Sequence, residues 1–207
     1  MKKRVQIYRS ALLILGSIIS AYGITMAVGA GFGGATLVVL WQGLALTCGI
    51  SLGLASFLVA MAMIGFSLVY DRKQIRLGTV IYQLLYSGFV DVFYPLQVYP
   101  EILWIRLALM TAGIVIFAAG TGAYAAADLG RGSYEALTFS LAEKNHWAVS
   151  HVRMSLDFLM VVFGVLLGGT FGLCTVVTVL CSGPIIQWSA AFFMNGWKRK
   201  GEIGNGI

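Results

Sequence analysis

Apolar residues dominate six stretches of the chain, roughly residues 8–29, 52–70, 77–94, 104–127, 148–168 and 171–193. Each approaches or exceeds the roughly 20 residues that an α-helix needs to cross the hydrocarbon core of a bilayer. Two shorter stretches interrupt the series. One, ATLVVLWQGLALT (35–47), follows the turn GAGFGG; the other, residues 133–144, follows DLGRG. The second lies in RGSYEALTFSLAEKNH, whose Arg131, Glu135, Glu143 and Lys144 cannot face lipid in a spanning helix. The first is largely apolar, but at about 13 residues it is too short to span. The pattern predicts an all-α polytopic membrane protein with six transmembrane helices and two short re-entrant or interfacial ones.

The order long, short, long, long occurs twice. An ungapped offset of 97 positions lays Arg9 on Arg106, Gly16 on Gly113, Ala21 on Ala118, Gly23 on Gly120, Gly33 on Gly130, Leu40 on Leu137 and Leu44 on Leu141. After a slip of one residue, Thr79 falls on Thr175 and Ser87-Gly88 on Gly183-Pro184. The chain therefore reads as one membrane domain, 1–207, built from repeat one (5–98), repeat two (100–195) and a basic cytoplasmic tail (196–207). Three spans per unit is an odd number, so the second copy is predicted to be inverted relative to the first.

Composition supports the membrane reading. The 207 residues are 59% hydrophobic and only 11% charged, too few for the surface of a soluble domain. The net charge of +6 is gathered in short clusters, Lys2-Lys3-Arg4, Arg72/Lys73/Arg76 and Lys198-Arg199-Lys200. With the N-terminus inside, these clusters and the region from Arg131 to Arg153 all face the cytoplasm, as the positive-inside rule expects. Both termini are then cytoplasmic, and only Arg106, the mate of Arg9, lies outside. Nucleic acid is not an expected partner. The opening MKKRVQIYRSALLILGSIISAYG has a basic head like a signal peptide, but its apolar part is long and is read as a retained first span. Cys48, Cys174 and Cys181 have no His or carboxylate at ligand spacing and read as inert thiols. Nucleotide, hydrolase and zincin motifs are missing, and neither His146 nor His151 has a triad partner. No enzyme activity, cofactor or metal is expected.

Candidate chemistry centres on Arg153 and Asp157, one helical turn apart within SHVRMSLDFLMVVFGVLLGG. Gly164 and Gly168 share their side of the helix, within about 60° of Arg153, which predicts that this face points into the bundle. Either Arg153 snorkels to the interface and the pair neutralises itself, or the pair lines a cavity where Arg153 grips an anion or Asp157 carries a proton or cation. Their mates are Ser56 and Ala60, so the repeated fold does not require charge there. Arg131 and Glu135 form a second i, i+4 pair at the start of the short second-unit helix, where Asp128 or Ser133 is placed to cap. Asp91 and its mate Gln187 suggest a matched polar lining. Gln42 and Trp41 face a cavity if their short helix is re-entrant, or Trp41 belongs to an interfacial belt.

The Gly turns that open the short helices (GFGGATLVVLWQG and DLGRGSYEALTFSLA), the segments ISLGLASFLV and WAVSHVRMSLDFLM, and the closing helices LGTVIYQLLYSGFVDVF and GLCTVVTVLCSGPIIQW resemble the YczE/YyaS/YitT family of bacterial integral membrane proteins. The likeness is closest to its YczE branch and covers about residues 8–195. Inverted repeats with broken segments after Gly turns are a recurring construction of secondary transporters. The expected function is carriage of a small solute, an anion included, across a bacterial cytoplasmic membrane, with the lipid bilayer as its medium. The expected site comprises Asp157, Arg153, Glu135, Arg131, Asp91, Gln42 and Gln187. Two other readings stand beside it: a non-transporting membrane scaffold or accessory protein, and the substrate-binding subunit of a larger importer. Small-residue faces can pack helices within one chain or between chains, which leaves a homo-oligomer or a partner membrane protein open.

Overall fold

A computed structural model describes the backbone of residues 2–203 and the side chains of residues 5–194. The basic side chains of the tail 196–207 lie outside that range. Among the described residues eight α-helices form: α1 (Lys2–Gly29), α2 (Thr36–Cys48), α3 (Leu52–Tyr70), α4 (Leu77–Phe93), α5 (Leu103–Ala126), α6 (Ser133–Asn145), α7 (Val149–Leu166) and α8 (Leu173–Ile203). Single 3-10 turns follow α3 and α4, at Arg72–Gln74 and Tyr94–Leu96. Among the described residues there are no strands.

Five helices are long and apolar enough to cross a membrane: Val5–Gly29, Leu52–Tyr70, Leu103–Ala126, Val149–Leu166 and Leu173–Met194. The sixth of the expected set, α4, has 17 residues and passes into the 3-10 turn that holds Pro95. Large apolar side chains such as Leu15, Leu58, Phe66, Leu84, Phe158, Leu180 and Trp188 are exposed around the bundle, as a lipid-facing surface requires.

Backbone geometry recurs between the two halves of the chain. The residues before the short helices, Ala35 (φ −57°, ψ 159°) and Gly132 (φ −57°, ψ 156°), are alike. So are the left-handed residues that end them, Gly49 (φ 64°, ψ 33°) and His146 (φ 57°, ψ 33°). Left-handed residues also occur at Gly31 and Asp128, and at Gly33 and Gly130. Asp128 and His146 adopt a conformation that glycine supplies at the corresponding place, at a cost of about 1–3 kcal/mol each.

Close helix approach holds the halves together. α1 packs chiefly on α5, and the two run antiparallel: Gly16 lies against Gly120 and Tyr124, and Gly23 against Gly113 and Phe117. A Cβ on Gly113 would stand 2.6 Å from the Ala27 nitrogen, so only glycine permits this backbone-to-backbone seam. α4 packs on α1 and α8 on α5; α2 packs on α7 and α3 on α6. The first Gly turn meets the start of α8, where the Cys174 N–H donates to the Phe32 carbonyl (2.9 Å), and the second meets the start of α4, with Gly130 against Thr79. Arg106 is explained here: its Nε donates to the Ala30 carbonyl (2.8 Å), and its guanidinium covers the Phe32 ring at 5.1 Å. Arg9 reaches the other Gly turn, pairing with Asp128 at 3.4 Å.

One contact differs between the halves. α3 lies along α4, fastened by Ser56 and Ser87 (2.7 Å), whereas α7 and α8 make no comparable packing contact among the described residues.

Candidate functional site

Each short helix starts against the middle of one long helix and ends against the terminus of a long helix, α7 in both cases for α2, and α4 then α3 for α6. Thr36 opens α2 and donates to Asp157, the ninth of the 18 residues of α7 (2.6 Å). Thr47, near the far end of α2, donates to the carbonyl of Leu167, where α7 stops (3.1 Å). In the other half, Ser133 opens α6 and donates to Gln83, the seventh of the 17 residues of α4 (3.3 Å). Asn145, at its end, bonds with Tyr70, the last residue of α3 (2.9 Å). Neither Ala35 nor Gly132 offers a side-chain cap, so both short helices begin with free backbone N–H groups near the middle of the bundle.

Both first turns line a single cavity of about 330 Å³, walled also by α4, α5, α7 and α8. Asp157 is half-buried there, and its Oδ1 accepts from Thr36 and from the Tyr134 hydroxyl (2.7 Å). Glu135 lines the cavity without any hydrogen bond or ion pair to the protein among the described residues. Trp41 lines it too; only 5% of this residue is exposed, and its indole N–H has no partner. Aromatic rings form a continuous wall: Tyr124 stacks on Tyr82 at 3.8 Å, Tyr82 on Tyr86 at 5.6 Å, and Tyr86 meets the Trp41 ring edge-on at 6.0 Å. Exposed lining residues Arg153 and Met154 of α7 and Val179 of α8 mark the opening, where those two helices fail to pack.

A second cleft, of about 520 Å³, shares Thr121, Gly132, Glu135 and Ile186 with this cavity. Lys73, Arg76 and Arg131 stand on its rim with Asp128. Glu135 therefore sits where a basic vestibule meets the interior space. A third cleft lies apart and is lined by Gln42, Ser51, Asp91 and Thr170.

Several expected pairings are not formed. Arg153 and Asp157 share a helix turn but make no ion pair; the Arg153 guanidinium lies over the Tyr134 ring at 5.6 Å while Asp157 takes hydroxyl donors instead. The reason is rotational: Arg153 is on the exposed side of α7 and Asp157 is turned toward α2 and α6. Arg131 likewise leaves Glu135 and stacks on Phe139 at 3.6 Å. Neither Asp128 nor Ser133 caps α6: Asp128 pairs with Arg9 and, at 3.7 Å, Arg76. Gly164 packs on the α2 backbone at Val39–Leu40, but Gly168 is an exposed left-handed residue beyond the helix end. Trp41 is core and not an interfacial belt residue.

Asp91 and Gln187 are not brought together. Asp91 accepts from the Gly53 N–H and the Ser51 hydroxyl (both 2.6 Å), closing the start of α3, while Gln187 is exposed on α8 outside the cavity. Gln42 accepts from the Thr170 N–H at 3.3 Å in the third cleft. Of the candidate residues, the cavity collects Asp157, Arg153 and Glu135, with Arg131 beside it. Thr36, Tyr134 and Gln83 are added by the structure. The one sequence signal for them is that hydroxyl residues, Thr36 and Ser133, stand first in both short helices.

A sequence family described as "Family of unknown function (DUF6198)" matches residues 7–191, most of the length. The chain belongs to this family. Among its relatives, an "Uncharacterized protein" of Haemophilus influenzae (strain ATCC 51907 / DSM 11121 / KW20 / Rd) is 30% identical over 195 residues, covering 93% of this chain and 84% of the relative. An "Uncharacterized membrane protein YczE" of Bacillus subtilis (strain 168) is 26% identical over 190 residues, covering 90% and 87%. The resemblance to the YczE branch holds, and the relative's description as a membrane protein agrees with the apolar helices. No solved structure matches.

Proposed function

We propose that this member of the family carries a small solute across the cytoplasmic membrane, with its binding site in the cavity where the two short helices begin. In this reading α4 is the sixth span, the two halves are inverted copies, α2 and α6 are re-entrant, and both termini are cytoplasmic. The recurrence of left-handed residues at matched positions and the antiparallel α1–α5 seam support the inverted arrangement. One observation carries the function: a cavity at the mid-depth of the bundle, walled by both halves, holds two carboxylates that are not paired with any cation among the described residues. Soluble-face solvation does not account for charge at that depth, whereas a solute path does.

Cysteines added one at a time to a Cys48→Ser, Cys181→Ser background, in which Cys174 stays buried, test both parts. Val98→Cys is expected to react with a membrane-impermeant maleimide from the outer side and Lys73→Cys from the cytoplasmic side. Ser182→Cys, on the cavity wall, is expected to react from the cytoplasmic side and, more slowly, from the outside. Protection of Ser182→Cys from both sides would overturn carriage, and Val98→Cys reacting only from within would overturn six spans.

A further inference from the structure

We propose that the cavity takes a small organic cation, an ammonium group with a nearby oxygen, held by Asp157, Glu135 and the aromatic wall; this rests on the carrier reading above. Four features of the lining lead there. Asp157 and Glu135 place two negative charges in the cavity, and neither forms an ion pair with any described residue. Arg153 also lines the cavity, but at its exposed opening, where its guanidinium lies over the Tyr134 ring at 5.6 Å and pairs with neither carboxylate.

Trp41, Tyr82 and Tyr86 line the same space, and aromatic rings attract ammonium groups through their electron-rich faces. Trp41 also brings a buried N–H with no acceptor, and an orphaned buried donor is costly. A hydroxyl or carbonyl oxygen on the ligand would satisfy it. The second Asp157 oxygen, Oδ2, accepts no hydrogen bond among the described residues, which leaves it to meet the cation. A cavity of about 330 Å³ has room for a ligand of this kind.

The test uses the full chain purified in a non-ionic detergent and follows its thermal midpoint against choline chloride and tetramethylammonium chloride, with sodium chloride and sodium acetate at matched ionic strength. Choline and tetramethylammonium are expected to raise the midpoint in a saturable way. Glu135→Gln, which removes no internal hydrogen bond, is expected to weaken half-saturation by about tenfold, and Asp157→Asn by more. Trp41→Phe is expected to weaken choline, which bears a hydroxyl, more than tetramethylammonium, which loses only the stronger ring face. A saturable acetate effect lost in Asp157→Asn would overturn the cation assignment while leaving a small-solute site in place. No shift with either ammonium, or an ammonium shift equal in Glu135→Gln and wild type, would also overturn it. Saturable ammonium binding in a protein whose Ser182→Cys is protected from both membrane sides would uphold the ligand class and remove the carrier.

Discussion

Replacing Asp91 by alanine removes two hydrogen bonds of 2.6 Å from the first turn of α3, one from the Gly53 N–H and one from the Ser51 hydroxyl. Ser51 in turn accepts from the Leu54 N–H at 3.1 Å, so the carboxylate anchors the residue that caps the helix. A hydrogen bond to a charged group contributes about 1.5–3 kcal/mol when water cannot replace it. Gly53 is buried and loses that protection in full, but Ser51 is exposed and water can take over its bond. The expected loss is therefore about 2–3 kcal/mol, with about 1 kcal/mol for Asp91→Asn, which keeps one acceptor oxygen. At about 2–4 °C per kcal/mol for a chain of this size, Asp91→Ala is expected to lower Tm by about 4–12 °C. The assay is helical circular dichroism on heating in detergent, run beside the choline half-saturation of each variant. A cap predicts lower Tm with unchanged half-saturation. An Asp91→Ala protein that melts with wild type, or that loses ligand at unchanged Tm, would refute the assignment and return Asp91 to the site.

Gly23→Ala sets a methyl against the Phe117 backbone and is expected to cost about 1–3 kcal/mol in the same melt, whereas Gly65→Ala, with open space around it, is expected to be neutral or gain up to about 1 kcal/mol. Equal behaviour of the two would argue against the α1–α5 seam. The Tyr99 phenol, whose hydroxyl donates to Gln97 (2.6 Å) and Met26 (3.0 Å), is pushed up to about 12, mainly by burial and further by Tyr22. A raised folded value holds the proton more tightly than the unfolded chain does, so its stabilisation is complete below about pH 10 and is lost as pH rises toward 12. Tyr99→Phe is expected to flatten that stretch of the alkaline stability profile, and an unchanged slope would count against it.

The Gly turns and the short helices after them were legible because their signal is local: turn glycines at Gly33 and Gly130, each followed by a short helical stretch. The span count was harder to read, since α4 carries Gln83 and Asp91 and ends at Phe93, where the 3-10 turn with Pro95 begins. Within the site, periodicity put Arg153 and Asp157 on one side of α7, but a difference of about 40° between residues four apart is enough to expose one and half-bury the other. Asp157 is fixed by Thr36, 121 positions away, and by Tyr134 on a third helix. Such partners follow from how helices cross, and a single chain read along its length does not announce them. Asp91 and Gln187 erred for the same reason: matched positions share a backbone frame, while their side chains answer to different neighbours.

The glycine seam between α1 and α5 bears on how the protein is made. α1 is made before α5, yet the surface bearing Gly16, Ser20, Gly23 and Ala27 has no match until α5 arrives, after residues 30–102 have been synthesised. The first half is thus a set of inserted helices waiting for a partner, and each half completes its packing only on the other. The connection through Tyr99 and Pro100 holds the partners at high effective concentration, doing for one chain what affinity would have to do for two.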